Sequence, residues 1–248
     1  MYVEGLWRYP VKSMLGERLD EATVTERGFE GDRAYALMDV ETGYIASAKN
    51  PKLWAELLKM RPFLASNLMI QLPDGIILEG EGIEDGLSRY LGRQVRLLSQ
   101  TSGQVEYVGY WPRIEGLEGR KEYELGRTLA DSFFDAAPVH IVTDKALQEI
   151  FDDTMQDVEK FWPNILLRTD GSLNDVDLLG REIQIGGAVF KVVRRTRRCI
   201  ITSLAQREID EDLNILRRIY AGHGGYVGVY ATVSRSGKIK VGDHAKVL

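Results

Sequence analysis

The chain has 248 residues, of which 44% are hydrophobic and 28% are charged, and its net charge is −5. This composition is ordinary for a soluble globular protein with a real core. A protein that binds nucleic acid usually carries a basic balance, so we expect no nucleic-acid partner.

The sequence also predicts the cellular compartment of the protein. No uninterrupted apolar stretch approaches the roughly 20 residues that cross a bilayer, so we expect no membrane span. The first residues show no basic segment followed by an apolar one, so nothing predicts secretion. Cys199 is the only cysteine and cannot form an internal disulfide, which fits a reducing compartment. We therefore expect a cytoplasmic protein.

Residues 1–98 are predicted to form short strands with two short helices between them. The expected strands are Tyr2–Trp7, Ala34–Met38, Tyr44–Ser47, Leu68–Leu72 and Ile76–Leu78. The last two flank Pro73-Asp74-Gly75, which is a strong hairpin signal. Asn50 and Pro51 predict the start of the first helix. The second helix is expected near Glu84–Leu91, with Gly92 ending it.

Between residues 99 and 126 no hydrophobic period holds for long. Glycines and Pro112 are interspersed with charged residues over this stretch. We interpret it as a linker or excursion loop that joins two halves of the chain.

Residues 127–248 are more regular. The expected strands are Val139–Val142, Asn164–Leu167, Glu182–Ile185, Ala188–Val193, Gly224–Val233 and Ile239–Leu248. Asp144 is expected to cap one helix, and a second helix is expected over Glu208–Tyr220, with Ile209, Leu213, Leu216 and Tyr220 as its apolar stripe. Many short strands with few helices predict a β-barrel-rich α+β protein.

The run that ends in Cys199 is the first candidate site. Four arginines lie within the five positions before the thiol: Arg194, Arg195, Arg197 and Arg198. A positive field favours the thiolate, which is a nucleophile or a soft metal ligand, and guanidinium groups can hold phosphate or another anion. Against the acidic background of the chain, this cluster favours a small anionic ligand over a polyanion.

The same run also has a plain structural interpretation. A lone cysteine is most often a small buried apolar residue, and the arginines could form a solvated strand. On a strand, Arg195 and Arg197 would share one face with Cys199, and Thr202 would reach that side only if the chain turned after Cys199. The residues alone leave a functional site and a coincidence both open.

Other nucleophile and metal patterns receive little support. No histidine has a spacing that predicts a base for the cysteine, and no zinc, P-loop or dinucleotide motif is present. The histidines are His140, His223 and His244.

Two further motifs lie near the N-terminus. In Tyr9-Pro10-Val11-Lys12-Ser13 a cation and a hydroxyl are adjacent, which suits phosphate, although a surface turn is the plain alternative. In Gly28–Arg33 the carboxylate of Asp32 can orient Arg33, and the plain alternative is a salt-bridged loop.

These motifs, in this order and with Phe161-Trp162-Pro163-Asn164-Ile165 before Cys199, resemble the MOSC (molybdenum cofactor sulfurase C-terminal) superfamily. The closer resemblance is to its two-part members, which include the mitochondrial amidoxime-reducing component and its bacterial relatives. The resemblance implies an N-terminal MOSC β-barrel domain over residues 1–98 and a C-terminal MOSC β-barrel domain with a few helices over residues 127–248.

The resemblance also implies a cofactor and its site. A cysteine at the position of Cys199 is the protein ligand to molybdenum in a pterin–dithiolene cofactor, the molybdenum cofactor (Mo-molybdopterin). The residues implied to bind the cofactor are Lys12, Ser13, Arg33, Asn164, Arg198 and Thr202. Soft thiolate ligation of molybdenum and cations facing the pterin phosphate agree with the chemistry of these side chains.

The implied activity is reduction of N-hydroxylated compounds such as amidoximes, hydroxylamines or modified bases. A separate electron-transfer protein carrying flavin, haem or an iron–sulfur centre would supply electrons, because the chain shows no motif for flavin, NAD or an iron–sulfur centre. The alternatives are a sulfur or molybdenum cofactor carrier or transferase that uses a Cys199 persulfide, and a cofactor-free interaction module.

Two positions depart from the family pattern. Trp162 stands where the family has an arginine, and Lys160 or Arg194 could substitute for that cation. Thr196 stands where close relatives often carry a second cysteine. The loss of the arginine at Trp162 is expected to affect cofactor affinity more than the fold.

Overall fold

The computed structural model describes residues 1–99, 103–111, 122–151 and 158–248. Over these ranges strands dominate and four α-helices are present, which confirms the predicted α+β, strand-rich class. None of the helices described is long and apolar enough to cross a membrane. Parts of the predicted linker, 100–102 and 112–121, lie outside the described residues.

The elements are numbered in chain order. The strands are β1 (Tyr2–Arg8), β2 (Glu17–Leu19), β3 (Glu21–Thr25), β4 (Gly28–Phe29), β5 (Ala36–Asp39), β6 (Arg61–Leu64), β7 (Leu68–Gln71), β8 (Ile77–Glu79), β9 (Val95–Leu98), β10 (Glu106–Tyr110), β11 (Tyr123–Arg127), β12 (Val139–Thr143), β13 (Ile165–Arg168), β14 (Glu182–Ile185), β15 (Ala188–Arg197), β16 (Tyr226–Arg235), β17 (Gly237–Lys240) and β18 (Ala245–Val247). The α-helices are α1 (Pro51–Trp54), α2 (Gly82–Leu91), α3 (Asp144–Gln148) and α4 (Asn214–His223). Short 3₁₀ helices cover Ala55–Lys59, Val158–Phe161, Asp175–Leu178 and Ile200–Ser203.

An eight-stranded sheet forms the larger body, in the order β18-β14-β15-β16-β12-β13-β1-β2. The first strand of the chain belongs to this sheet, because β1 pairs with β13 through Leu6 opposite Ile165. The separate sheet β17-β3-β4 also joins the two ends of the chain. Hydrogen bonding therefore makes the N-terminal strands part of the larger body.

Alternating apolar residues explain this body. In β14 the apolar residues Ile183 and Ile185 are buried while Glu182 and Gln184 are partly exposed, which is the period of a strand with one face in a core. The core of this body includes Val3, Leu6, Val24, Phe29, Ile141, Ile165, Leu167, Ile183, Phe190, Val229 and Ile239. Side chains from both ends of the chain therefore fill one core.

A smaller body contains the two-stranded sheet of β5 and β9, the three-stranded sheet of β6, β7 and β8, and the helices α1 and α2. Its core includes Val11, Met14, Leu37, Trp54, Leu57, Met60, Ile70, Ile83 and Leu87. The predicted hairpin across Pro73-Asp74-Gly75 is present as β7 paired with β8, and α2 ends at Gly92, whose φ is 64°. A third core, around Leu147, Phe161 and Ile219, lies where α3 and α4 cover the larger body.

The helix expected over Glu208–Tyr220 is wrong at its start. Gln206 and Ile209 exchange backbone hydrogen bonds in a tight turn, and the carboxylate of Asp212 accepts a hydrogen bond from the Asn214 amide at 2.9 Å, so the helix begins at Asn214. The expected stripe shifts accordingly. Leu213 is 53% exposed, and the buried face is formed by Ile215, Leu216 and Ile219.

Four smaller expectations also differ. The predicted linker contains the antiparallel hairpin β10–β11. Its first strand alternates buried Tyr107 and Gly109 with more exposed neighbours, a period-two signal that the glycines obscured. Thr143 rather than Asp144 caps α3, and the expected strand Ile239–Leu248 is divided into β17 and β18. Tyr44–Ser47 forms only an isolated bridge from Ile45 to Met38.

Phe190→Ala tests the core of the larger body. Phe190 is fully buried among the sheet residues, so truncation should lower the free energy of unfolding by about 3–5 kcal/mol. Urea denaturation followed by circular dichroism measures the change. Val193→Ala on the same strand is the control, because Val193 is 45% exposed and its truncation should cost little. A loss in Phe190→Ala no larger than in the control would contradict this core.

Candidate functional site

A cavity of about 360 Å³ lies where the N-terminal turns, the β10–β11 hairpin and the C-terminal sheet meet. This volume is in the range of small-molecule sites. Its lining includes Lys12, Ser13, Arg33, Lys49, Tyr107, Trp111, Glu124, Phe134, Asp135, His140, Trp162, Asn164, Arg197, Arg198, Cys199 and Tyr230.

The structure brings six of the seven sequence-predicted site residues into this lining. They are Lys12, Ser13, Arg33, Asn164, Arg198 and Cys199. The seventh, Thr202, is not part of the lining and is fully buried. Residues from four separate segments of the sequence therefore share one cavity, which their separation in sequence does not by itself require.

Cys199 lies just after the end of β15, at the start of the 3₁₀ turn Ile200–Ser203. The chain does turn here, as Thr202 would need to approach the thiol. Its amide and hydroxyl instead both donate to the Cys199 carbonyl, at 3.3 and 3.0 Å. Thr202 thus fixes the backbone of Cys199, and the half-buried thiol packs beside Ile201.

Two lysines of the lining share one carboxylate. Lys12 Nζ and Lys49 Nζ lie 2.6 and 2.9 Å from the oxygens of Asp135. Burial raises the pKa of Asp135, but the two ammonium groups outweigh burial and hold it below its usual range. Burial lowers the pKa of Lys12. For Lys49 the charge of Asp135 and the Tyr107 hydroxyl outweigh burial and raise the pKa.

Arg33 is held by a buried network. The Asp32 carboxylate accepts hydrogen bonds from the Arg33 guanidinium at 2.5 Å, from the Asn164 amide at 3.1 Å and from the Tyr9 backbone N–H at 2.7 Å. The Arg33 guanidinium also lies 4.4 Å from the centre of the Tyr9 ring. Asn164 Oδ1 accepts from the His140 amide at 3.0 Å, so one side chain joins this network to β12.

Arg198 contacts the segment that contains Trp162. Its guanidinium donates to the Phe161 carbonyl at 2.9 Å, and its Nε has no partner among the described residues. Burial lowers the pKa of Arg198. Trp162 itself stacks on Tyr9 at 5.7 Å and donates from its indole N–H to Gln206 at 3.1 Å.

The two cations proposed to replace the family arginine lie elsewhere. Lys160 Nζ donates to the Asp210 carbonyl, and Lys160 is not among the lining residues. Arg194 is exposed and its guanidinium lies over the Tyr230 ring at 5.6 Å. Arg198 is therefore the guanidinium that approaches the Phe161–Trp162 segment.

The backbone is unusual where the walls meet. Ser13, Arg33 and Trp162 have φ values of 68°, 47° and 51°, and all three line the cavity. Residues other than glycine rarely adopt these left-handed angles, and such residues cluster at functional sites. Gly228 of β16 has φ 82°, and a Cβ there would lie 2.2 Å from His140 Nε2. Only glycine therefore fits at this position beside His140.

The lining is positively charged. Its basic residues are Lys12, Arg33, Lys49, Arg197 and Arg198, and its acidic residues are Glu124 and Asp135. A cavity with this excess of cations and a single thiol can bind an anionic ligand and offer one soft donor atom.

Sequence reasoning missed several of these residues. Lys49 directly precedes the Asn50-Pro51 pair, yet one lysine in a turn carries no chemical signal. Tyr107 and Asp135 lie within or after the segment that lacked a period. His140 and Tyr230 are cross-strand neighbours, and only the pairing of β12 with β16 shows that they meet.

His140→Gln tests the electrostatics of the buried wall. Burial and the nearby Arg198 charge lower the pKa of His140 to about 3. The unfolded chain takes up this proton near pH 6.5, so the folded state should lose up to about 1.4 kcal/mol of stability per pH unit as the pH falls from 6.5 towards 3. His140→Gln should remove this part of the acid sensitivity in urea titrations at pH 7 and 4.5. His244→Gln, at an exposed site, should keep it; equal acid sensitivity in His140→Gln and wild type would refute the assignment.

Asp135→Asn tests whether the internal carboxylate competes with a ligand for the two lysines. The substitution would replace charge-assisted hydrogen bonds of about 1.5–3 kcal/mol by neutral ones of about 0.5–1.5 kcal/mol. The difference of about 1 kcal/mol should strengthen binding of inorganic phosphate by Lys12 and Lys49 about fivefold. Isothermal titration calorimetry at pH 7 measures the affinity. Glu26→Gln removes an exposed acid elsewhere and should leave it unchanged. Unchanged or weaker binding in Asp135→Asn would show that Asp135 is no competitor.

Comparison with known proteins agrees with this architecture. The profile of the MOSC N-terminal beta barrel domain matches residues 1–94, and that of the MOSC domain matches residues 129–246. No curated protein matches the chain. The crystal structure of the YUAD protein from Bacillus subtilis is similar over 99% of this chain and 94% of that one, with a TM-score of 0.50 at 14% identity.

YiiM from Geobacillus stearothermophilus matches 59% of this chain and 73% of that chain, with a TM-score of 0.36 at 16% identity. At these identities the likeness to YUAD shows the fold alone. The two domain matches show the family: the chain belongs to the MOSC superfamily and combines a MOSC domain with an N-terminal β-barrel domain.

Proposed function

We propose that this protein binds the molybdenum cofactor and reduces N-hydroxylated compounds with electrons from a separate redox protein. Membership of the MOSC superfamily supports the proposal. The observation that carries it is a single thiol in a cavity whose wall is rich in cations. The similarity to the amidoxime-reducing component belongs to the same proposal.

The donor set fits a metal that brings its own ligands. Among the described residues, no group of three or more His, Cys, Asp or Glu side chains is placed to hold a bare ion. Cys199 alone offers one soft sulfur donor in the cavity. A pterin dithiolene would supply further sulfur ligands, so the protein would need to contribute only the Cys199 thiolate.

The cations fit the rest of the cofactor. Lys12, Arg33 and Arg198 come from three different segments and line the same cavity, and Ser13 adds a hydroxyl. Guanidinium and ammonium groups are the usual partners of phosphate. The unpartnered Nε of buried Arg198 is a donor that an anionic ligand would satisfy.

When bound, the cofactor would supply the two-electron chemistry that amino-acid side chains cannot perform. The proposed reduction consumes two electrons and two protons, converts an N–OH group to N–H and releases water. The residues of this chain bind and orient. Cys199 would hold the metal. Asn164 helps to hold Arg33 in the wall, and Trp162 of the lining is positioned by stacking on Tyr9.

A carrier is the second candidate, and the partial exposure of Cys199 favours it. A persulfide on this thiol would be reachable from the cavity. The two functions separate cleanly: cyanolysable sulfur in a molybdenum-free protein supports the carrier, and reduction of an amidoxime with an artificial electron donor supports the reductase.

Cys199→Ala and Cys199→Ser test the ligand assignment. Both proteins are produced beside wild type in a host that makes the cofactor, and molybdenum and pterin are measured separately. We expect wild type to contain both, and both variants to lose most of the molybdenum, because oxygen and methyl groups do not replace a soft thiolate. Arg217→Gln, at an exposed position on α4, is the control and should keep wild-type content.

Equal molybdenum in wild type and both cysteine variants would overturn the assignment of Cys199 as the ligand. Wild type without pterin or molybdenum would instead point to a cofactor-free interaction module.

A further inference from the structure

A second depression, of about 740 Å³, adjoins the cavity. The two share Lys49, Tyr107, Asp135, Arg197 and Tyr230 as lining residues. Beyond these shared residues the depression is lined by Ala136, Leu179, Val193, Arg194, Arg195 and Tyr226. We call the part formed by Arg194, Arg195, Arg197, Tyr226 and Tyr230 the arginine groove.

Two irregularities in the β15–β16 pairing bring the arginines together. Neighbouring residues of a regular strand point to opposite faces of the sheet. The register shifts between Val192 and Arg194 and again between Arg195 and Arg197, and such shifts re-aim side chains. Arg194, Arg195 and Arg197 are consequently all exposed at the groove, while Thr196 between them is buried.

Tyrosine rings hold two of the guanidinium groups. The Arg194 guanidinium lies 5.6 Å from the centre of the Tyr230 ring, and that of Arg195 lies 4.5 Å from the Tyr226 ring. Arg195 also donates to the His223 carbonyl at 3.1 Å. Ring contacts orient a guanidinium without neutralising it, so its N–H groups stay available for an oxyanion.

The charge of the groove is not balanced by nearby acids. Within the described ranges, Arg194, Arg195 and Arg197 form no ion pair, whereas other arginines such as Arg93 and Arg218 pair with aspartates. The chain as a whole has a net charge of −5. Uncompensated guanidinium groups on an acidic protein attract small anions to this place.

We propose that the arginine groove binds an oxyanion group, phosphate or carboxylate, carried by the substrate whose N-hydroxyl group enters the cavity. The groove and the cavity share a wall, so one molecule can occupy both. The exposed side chains of Leu179 and Val193 flank the groove and suit an apolar connection between the two groups. The identity of the reaction rests on the proposed function; the binding of the oxyanion does not.

The first experiment measures binding alone. Phenyl phosphate and benzoate are titrated calorimetrically into the purified full-length protein at low ionic strength, with phenol as the uncharged reference. We expect phenyl phosphate or benzoate to bind and phenol not to bind. Arg194→Gln and Arg195→Gln should each weaken binding about tenfold, which corresponds to about 1.4 kcal/mol. Both residues are exposed, so the fold should persist, as thermal melts will show.

Two controls sharpen this result. Arg217→Gln removes the same charge from an exposed site on α4 and should leave affinity unchanged. Arg194→Lys keeps the charge but loses the planar fork, so it should weaken binding by an intermediate factor. Absence of anion binding in wild type, or an equal loss of affinity in Arg217→Gln, would contradict the assignment of the arginine groove as an oxyanion site.

The second experiment uses a matched pair of aromatic amidoximes, one neutral and one carrying a para-carboxylate. We expect wild type to have the higher kcat/KM for the carboxylate, and the ratio of the two values to fall in Arg194→Gln and Arg195→Gln. An unchanged ratio would overturn the substrate assignment. Anion binding without any reductase activity would overturn the proposed function and still support the oxyanion site.

An acidic protein surface is the competing occupant of the groove. If the arginine variants slow electron delivery from an acidic redox protein but bind phenyl phosphate as tightly as wild type, the groove is a protein-docking surface and our proposal is wrong.

Discussion

The buried carboxylate of Asp32 holds together parts of the chain that are far apart in sequence. It accepts hydrogen bonds from the Tyr9 backbone, from the Arg33 guanidinium and from the amide of Asn164. An ion inside a protein costs several kcal/mol unless charged and polar partners surround it. These groups must therefore stay together once Asp32 is buried, and this fixes two residues of the cavity wall, Arg33 and Asn164, relative to each other.

The network around Asp32 also shapes the cavity. Ser13 and Trp162, which both line the cavity, adopt left-handed backbone angles, which persist only where surrounding packing overdetermines them. The cavity lining also holds the Asp135 carboxylate between Lys12 and Lys49, so these cations stay in place without a ligand. A site preorganised in this way loses little conformational entropy when an anion enters.

The sequence predicted what local chemistry decides. Residue type and spacing predict three of the observed features: the hairpin turn at Pro73-Asp74-Gly75, the end of α2 at Gly92 and the strand leading into Cys199. Partners set by tertiary pairing were out of reach, because nothing in the local pattern places His140 beside Tyr230. The start of α4 depends on one hydrogen bond that the Asp212 carboxylate accepts from the Asn214 amide, and this bond competes with helix propensity. The family motifs anticipated the cavity lining better than they anticipated the hairpin that covers it.

The pairing of β1 with β13 has a consequence for folding. Tyr2 lies opposite Arg168 in that ladder, and it also bridges to His244. β1 therefore pairs with a strand that lies far away in the sequence, and contacts of such long separation slow folding. β1 leads into the turn that carries Lys12, and β13 begins directly after Asn164, so the pairing of these strands also brings together two parts of the cavity wall. We therefore expect the cavity to bind a ligand only once this long-range pairing has formed.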